Sequence, residues 1–276
     1  MSTIAEDRPP TGVSVTSAIP YRIPPPPVSP CWICGARPAD SGEHRFKASD
    51  MRLVAPRVSQ ATPVFLQRDS KATNDRVGSA KANKLKFAKS ICTGCNNALT
   101  QPYDFAWEQL SEYLLANWPM IVKRGSFDLS KPFPGGTRAA TLNVHLFFVK
   151  LFGCKLHAEG KVIDLVPFSK ALLTGTAHDE VNITVANSAV GDGRVLMYDS
   201  EIYTMTEKGS GELHGAVWLY LLHPVAVKVH YIKAGAKLHA VGHPWHPSRP
   251  GKIVKLSPYM GATEPNAGPR ALVPTP

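Results

Sequence analysis

Residues 31–44 read CWICGARPADSGEH and residues 92–96 read CTGCN. Each stretch contains a Cys-x-x-Cys pair, Cys31/Cys34 and Cys92/Cys95, and this spacing is that of two short knuckles closing on one tetrahedral Zn²⁺. Thiolate ligation releases protons on binding and couples the metal to folding, so a structural Zn²⁺ is expected here. A redox dithiol would place one such pair at a helix start in a βαβ setting, and that context is missing. Only Cys154 stands outside the pairs. It lies in the apolar run VHLFFVKLFGCKL and reads as a small buried residue.

Between the knuckles stand Glu43 and His44, and Asn96 follows the last cysteine directly. A carboxylate, an imidazole and an amide oxygen beside a zinc staple are the groups that metal-assisted hydrolysis uses. Alone, a Glu-His dipeptide is an ordinary solvated pair; with the cysteines it becomes a motif. The stretch from Gln67 to Lys89 carries Arg68, Lys71, Arg76, Lys81, Lys84, Lys86 and Lys89 against only Asp69 and Asp75. It is poor in large apolar residues and is expected to be an exposed flap, either merely solvated or contacting phosphates.

The order CxxC, acidic residue-His, CxxC-Asn resembles the HNH (His-Me finger, ββα-metal) endonucleases, in their zinc-stapled, treble-clef branch that includes endonuclease VII-type resolvases. The resemblance covers about residues 31–110. It implies that Cys31, Cys34, Cys92 and Cys95 hold Zn²⁺. It further implies that Glu43 and Asn96 bind a catalytic Mg²⁺ or Mn²⁺, and that His44 is the general base. Glu43 stands where Asp is common, and 47 residues separate His44 from Cys92. The middle Asn that orients the His could be Asn74 or Asn83, and Gln101 or Asp104 could add a metal contact; for Asp104 a helix cap is preferred.

Working outward, the expected organisation is α+β. Residues 1–29, with IPYRIPPPPVSP, form a disordered or extended Pro-rich arm. Residues 30–124 form the zinc-stapled ββα-metal (treble-clef-like) nuclease domain, with its basic inserted flap at 60–90. Apolar residues at helical spacing from Phe105 to Trp118 predict a helix that Pro119 ends. The Gly/Pro-rich 125–138 is a linker. A helix over about 139–158 then opens a C-terminal α+β domain (139–246) with a mainly antiparallel sheet, its strands read from VNITVANSA, RVLMYDSEIYTMT, HGAVWLYLLH and AVKVHYIKA. Residues 247–276 read as an irregular tail. His239, His243 and His246 have a spacing that suits a metal, but the prolines among them favour a surface loop.

A net charge of +10 points to a polyanionic partner, nucleic acid before an anionic membrane. The first residues lack the apolar core of a secretory signal and no stretch reaches about 18 uninterrupted apolar residues, so a cytoplasmic protein without a membrane span is expected. The family makes DNA the favoured substrate over RNA. A homodimer through the strand-rich half is possible. No phosphate-binding loop, dinucleotide fingerprint or Ser-His-Asp set appears. The alternative to a nuclease is a non-catalytic zinc-stapled module that binds nucleic acid or protein, or serves assembly.

Overall fold

The computed structural model describes residues 29–69, 73–188, 195–207, 210–236 and 243–260. Residues 1–28 of the Pro-rich arm, Lys71, His239 and residues 261–276 lie outside the described residues. The fold is α+β, with one mixed, mainly antiparallel sheet packed against helices.

The helices are α1 (Ala48–Val54), α2 (Gln101–Arg124), α3 (Thr137–Glu159) and α4 (Val166–Thr174). Pro119 does not end α2, which runs five residues past it. Its ring and Met120 lie on the exposed side of the helix, where the carbonyl freed by the missing N–H can turn to water. The helix stops instead at Gly125, whose φ of 66° is the left-handed C-cap that glycine adopts without penalty.

α3 is the central helix. Val144, Leu146, Phe147, Phe148, Val149, Leu151 and Phe152 are all buried, so it is apolar on nearly every side, as a helix enclosed by other elements must be. It is long and apolar enough to cross a membrane, yet 78% of its most apolar window is buried within the fold. Phe147 and Phe148 pack on Trp107 of α2, at centroid distances of 5.4 and 4.8 Å. Gly153 lets the indole of Trp32, beside Cys31, lie directly on the helix; a Cβ there would sit 2.5 Å from the ring.

The strands are β1 (Val64–Arg68), β2 (Asp75–Val77), β3 (Ser126–Asp128), β4 (Val181–Ser188), β5 (Val195–Asp199), β6 (Tyr203–Thr206), β7 (Leu213–Leu222), β8 (Val225–Ile232), β9 (Ile253–Lys255) and β10 (Ser257–Met260). The main sheet has the order β10-β4-β8-β7-β5-β1-β2, with β6 also on β7. Its β1–β5 and β10–β4 pairs are parallel and the others antiparallel.

Three further sequence expectations change. The basic segment is not simply a loop, because β1 and β2 within it join the main sheet and bury Leu66 and Val77. The stretch from residue 247 is not wholly irregular: β9 pairs with β3, and β10 extends the main sheet. His246 is not a surface residue. It is 5% exposed, with its ring 4.9 Å from that of the buried His145.

Residues 125–138 contain β3, and α2 and α3 on either side of them pack together. One apolar cluster runs from Cys31 and Ile33 through α2 and α3 to Val227, Val229 and Val254.

Candidate metal centre and its surroundings

The first knuckle closes on itself through Cys31 N–H to the Arg37 carbonyl (2.7 Å) and Gly35 N–H to the Cys31 carbonyl (2.8 Å). Gly35 supplies the positive φ, 65°, that this turn requires. Residues 92–95 precede α2 as a tight turn that leads into a single π-helical turn, Cys95–Leu99. There the Cys95 N–H points at Cys92 Sγ, 3.3 Å away. The outcome is that all four Sγ atoms lie within 4.8 Å of one another.

Cys34 and Cys92 Sγ are 3.9 Å apart. That is far beyond a disulfide bond, and close to the ~3.8 Å edge of a tetrahedron with Zn–S bonds of about 2.3 Å. Burial works to raise the Cys34 thiol. The N–H groups of Ala36 and Arg37 and the neighbouring cysteines outweigh it and bring the thiol down to about 7, while burial pushes the Cys31 and Cys95 thiols up, so it is the clustering of the sulfurs that suits a metal. The four cysteines can therefore hold a metal such as zinc.

A short antiparallel ladder links the two knuckles. Ser41 bridges Ile91 and His44 bridges Lys86, while Phe87 N–H donates to the Glu43 carbonyl (2.9 Å) and Arg45 N–H to that of Leu85 (2.6 Å). Gly42 is required where the strands cross, because a Cβ would lie 2.5 Å from the Phe87 carbonyl oxygen. The ladder sets Glu43-His44 alongside the strand that runs into Cys92. Asn96 joins the same unit through its Nδ2, which donates to Ser41 Oγ at 2.9 Å. Elements 47 residues apart in the chain thus meet in one small substructure.

The three motif residues differ in what they offer. The His44 ring is half-buried and has no hydrogen-bond partner among the described residues. Burial holds its pKa below the ordinary histidine value against the opposing pull of Glu43. Asn96 is partly exposed, with its amide nitrogen engaged by Ser41 Oγ.

Glu43 is 2% exposed and already partnered. Its Oε1 accepts the His44 N–H at 2.9 Å, and its Oε2 lies 2.8 Å from Lys150 Nζ. Lys150 also holds Asp104 Oδ1 at 2.7 Å, and Lys47 meets Asp104 at 3.3 Å and Glu108 at 3.5 Å. Burial alone would raise the Glu43 carboxyl, but Lys150 overrides it and leaves its pKa below the usual value. Asp104 is thus an ion-pair partner and not the expected helix cap, since the N-cap of α2 is Thr100 and no side chain caps it. A hydrated Mg²⁺ or Mn²⁺ needs an open carboxylate and room for water. The Glu43 carboxylate as arranged does not fit that demand.

Lys150 was not among the residues read from the motif. The signal for it lay in the apolar run of α3, since a lysine there must find a buried partner. Lys155, one turn on, is the second instance, bonding Asp199 (2.8 Å) and Glu159 (2.9 Å) while Arg45 bonds Asp199 from the other side.

The basic residues separate by environment. Arg68 is paired with Asp75. Arg76, Lys81, Lys84 and Lys89 are exposed and Lys86 is half-buried. Lys84 Nζ donates to the Arg76 carbonyl at 3.3 Å, and the Arg76 guanidinium to the Gln60 carbonyl, so these two cations form one ordered group. Asn74 and Asn83 are exposed. No family model, curated protein or solved structure matches the chain.

Proposed function

We propose that the protein is a zinc-stapled phosphodiester hydrolase of the HNH type, acting on nucleic acid, with DNA favoured. The observation that carries this reading is the ladder itself. It holds His44, with no hydrogen-bond partner on its ring among the described residues, beside the strand entering the second knuckle, and Asn96 is bonded to Ser41 on the His44 side of the ladder.

In this reading His44 accepts a proton from the attacking water, a role for which its depressed pKa keeps the ring in the base form at neutral pH. Asn96 offers its amide oxygen to order the water or the substrate. The exposed Arg76, Lys81, Lys84 and Lys89 draw the phosphate backbone in a salt-dependent, sequence-independent way. The zinc staple keeps the two strands of the ladder in register and takes no part in the reaction.

A second reading has its own support. The Glu43 carboxylate is sealed by Lys150, which suits a non-catalytic module that keeps the fold and binds nucleic acid through the same basic face. The two readings part on one experiment. Supercoiled, linear, branched and single-stranded substrates are incubated with the protein, with Mg²⁺, Mn²⁺ or EDTA, beside His44→Ala. The hydrolase reading expects cleavage by the wild type and a loss of at least about 100-fold in His44→Ala, the scale of a positioned base. Binding without cleavage on every substrate, or equal cleavage by both proteins, sinks it.

A further inference from the structure

Glu43 is the residue that the motif would give to a divalent cation, yet its surroundings supply a cation already. Lys150 reaches it from α3 with its ammonium fully buried, 2.8 Å from Glu43 Oε2 and 2.7 Å from Asp104 Oδ1. Lys47 adds a second ammonium at Asp104, and Glu108 lies at the more open rim. The two buried carboxylates are therefore balanced by two ammonium groups of the chain. A metal ion drawn to Glu43 would meet like charge at the distance of a hydrogen bond, and would have to shed the waters that Mg²⁺ and Mn²⁺ keep.

The other carboxylate oxygen is also in use. Oε1 accepts the backbone N–H of His44 itself. Asp104, Lys150, Glu43 and the His44 N–H thus connect α2 and α3 to the candidate base: Lys150 hydrogen-bonds Asp104, forms an ion pair at 2.8 Å with Glu43 Oε2 without hydrogen-bond alignment, and Glu43 Oε1 accepts the His44 N–H.

We propose that Lys150 is a positioning residue that takes the place of a divalent cation at Glu43, so that Glu43 acts by fixing His44 and not as a metal ligand. This rests on the reading of His44 as the base, but its test does not. The helix of the C-terminal half then completes the site that the zinc unit begins.

The test is a Mn²⁺ titration followed by electron paramagnetic resonance, on the full zinc-loaded chain, with wild type, Glu43→Gln, Lys150→Met, Lys150→Arg and the double variant Glu43→Gln/Lys150→Met. Glu43→Gln is expected to leave Mn²⁺ binding within about 2-fold of wild type, whether that binding is tight or undetectable. Lys150→Met, which leaves Glu43 without an ammonium and Asp104 with Lys47 alone, should tighten it at least about 10-fold, and Lys150→Arg should not. The double variant should lose the gain.

A 10-fold weakening by Glu43→Gln overturns the proposal. So does a folded Lys150→Met without gain, or a gain that survives in the double variant. If Lys150→Met does not fold, Glu43→Gln and Lys150→Arg decide alone. Failure of the wild type to cleave any substrate would remove the hydrolase reading and leave this outcome standing.

Discussion

Asp50 shows what single buried residues do in this chain. It sits in α1 at 0% exposure, and its carboxylate accepts from Trp107 Nε1 (2.8 Å), Ser111 Oγ (2.6 Å) and Tyr220 OH (3.3 Å). Burial outweighs those three donors and pushes its carboxyl up to about 6. The native state therefore holds a proton on Asp50 that the unfolded chain has released. Its stabilising effect is complete below the unfolded value near 4 and is lost as pH rises through about 6. The change is at most about 3 kcal/mol, from about two pKa units at 1.36 kcal/mol each. Asn at this position keeps an acceptor for Trp107 and adds a donor for Ser111 or Tyr220. Urea unfolding at pH 4.5 and 7.5 should show the stability of wild type relative to Asp50→Asn falling by about 1–3 kcal/mol as pH rises. A pH-independent difference would rule out protonation of Asp50 as its origin.

At the scale of elements, the joint between knuckle and core helix is the sharpest case. Gly153 in the middle of α3 would ordinarily cost about 1 kcal/mol relative to Ala. It is retained because the Trp32 ring occupies the space a Cβ would take. Overpacking costs about 1–3 kcal/mol, so the steric term exceeds the propensity gain. Gly153→Ala should lower stability by up to about 2 kcal/mol in thermal or urea unfolding, and a more stable variant would mean that Trp32 moves freely.

The same comparison explains what could be read from the sequence. The two knuckles, α3 and strands β4 to β8 carry their signals locally, in cysteine spacing, an apolar run and β-branched alternation. The Glu43–Lys150 pair joins residues 107 apart in the chain, and no local pattern encodes it. Strand β1 was obscured because its buried Val64 and Leu66 border the lysine-rich stretch and give it the look of a loop. Of the site, the gathering of the four cysteines was legible in their spacing, whereas the bond of Asn96 to Ser41 was not. The occupation of Glu43 was not, since it depends on how α3 packs.

For the whole molecule, the four-cysteine cluster that can hold a metal is continuous with the apolar core. Cys31, Cys92 and Cys95 belong to the same cluster as α3 and β8, and Ser169 of α4 donates to the Ile33 carbonyl inside the first knuckle. Metal loss should therefore be felt beyond the ladder. The purified chain is expected to carry one equivalent of zinc. Removing it with a strong chelator, or replacing Cys92 with Ser, should lower and broaden the thermal transition of the entire protein and not of a small part. Less than one equivalent, or an unchanged transition after removal, would refute the four-cysteine site.

The parallel pairing of β1 with β5 sets a schedule for synthesis. Phe65 takes its place beside Val195, so it leaves the ribosome about 130 residues ahead of its neighbour, some ten seconds at common elongation rates. All four cysteines that can hold a metal are therefore synthesised before the half of the sheet that covers Val64 and Leu66, while the core those cysteines share with α3 and β8 is completed only after it.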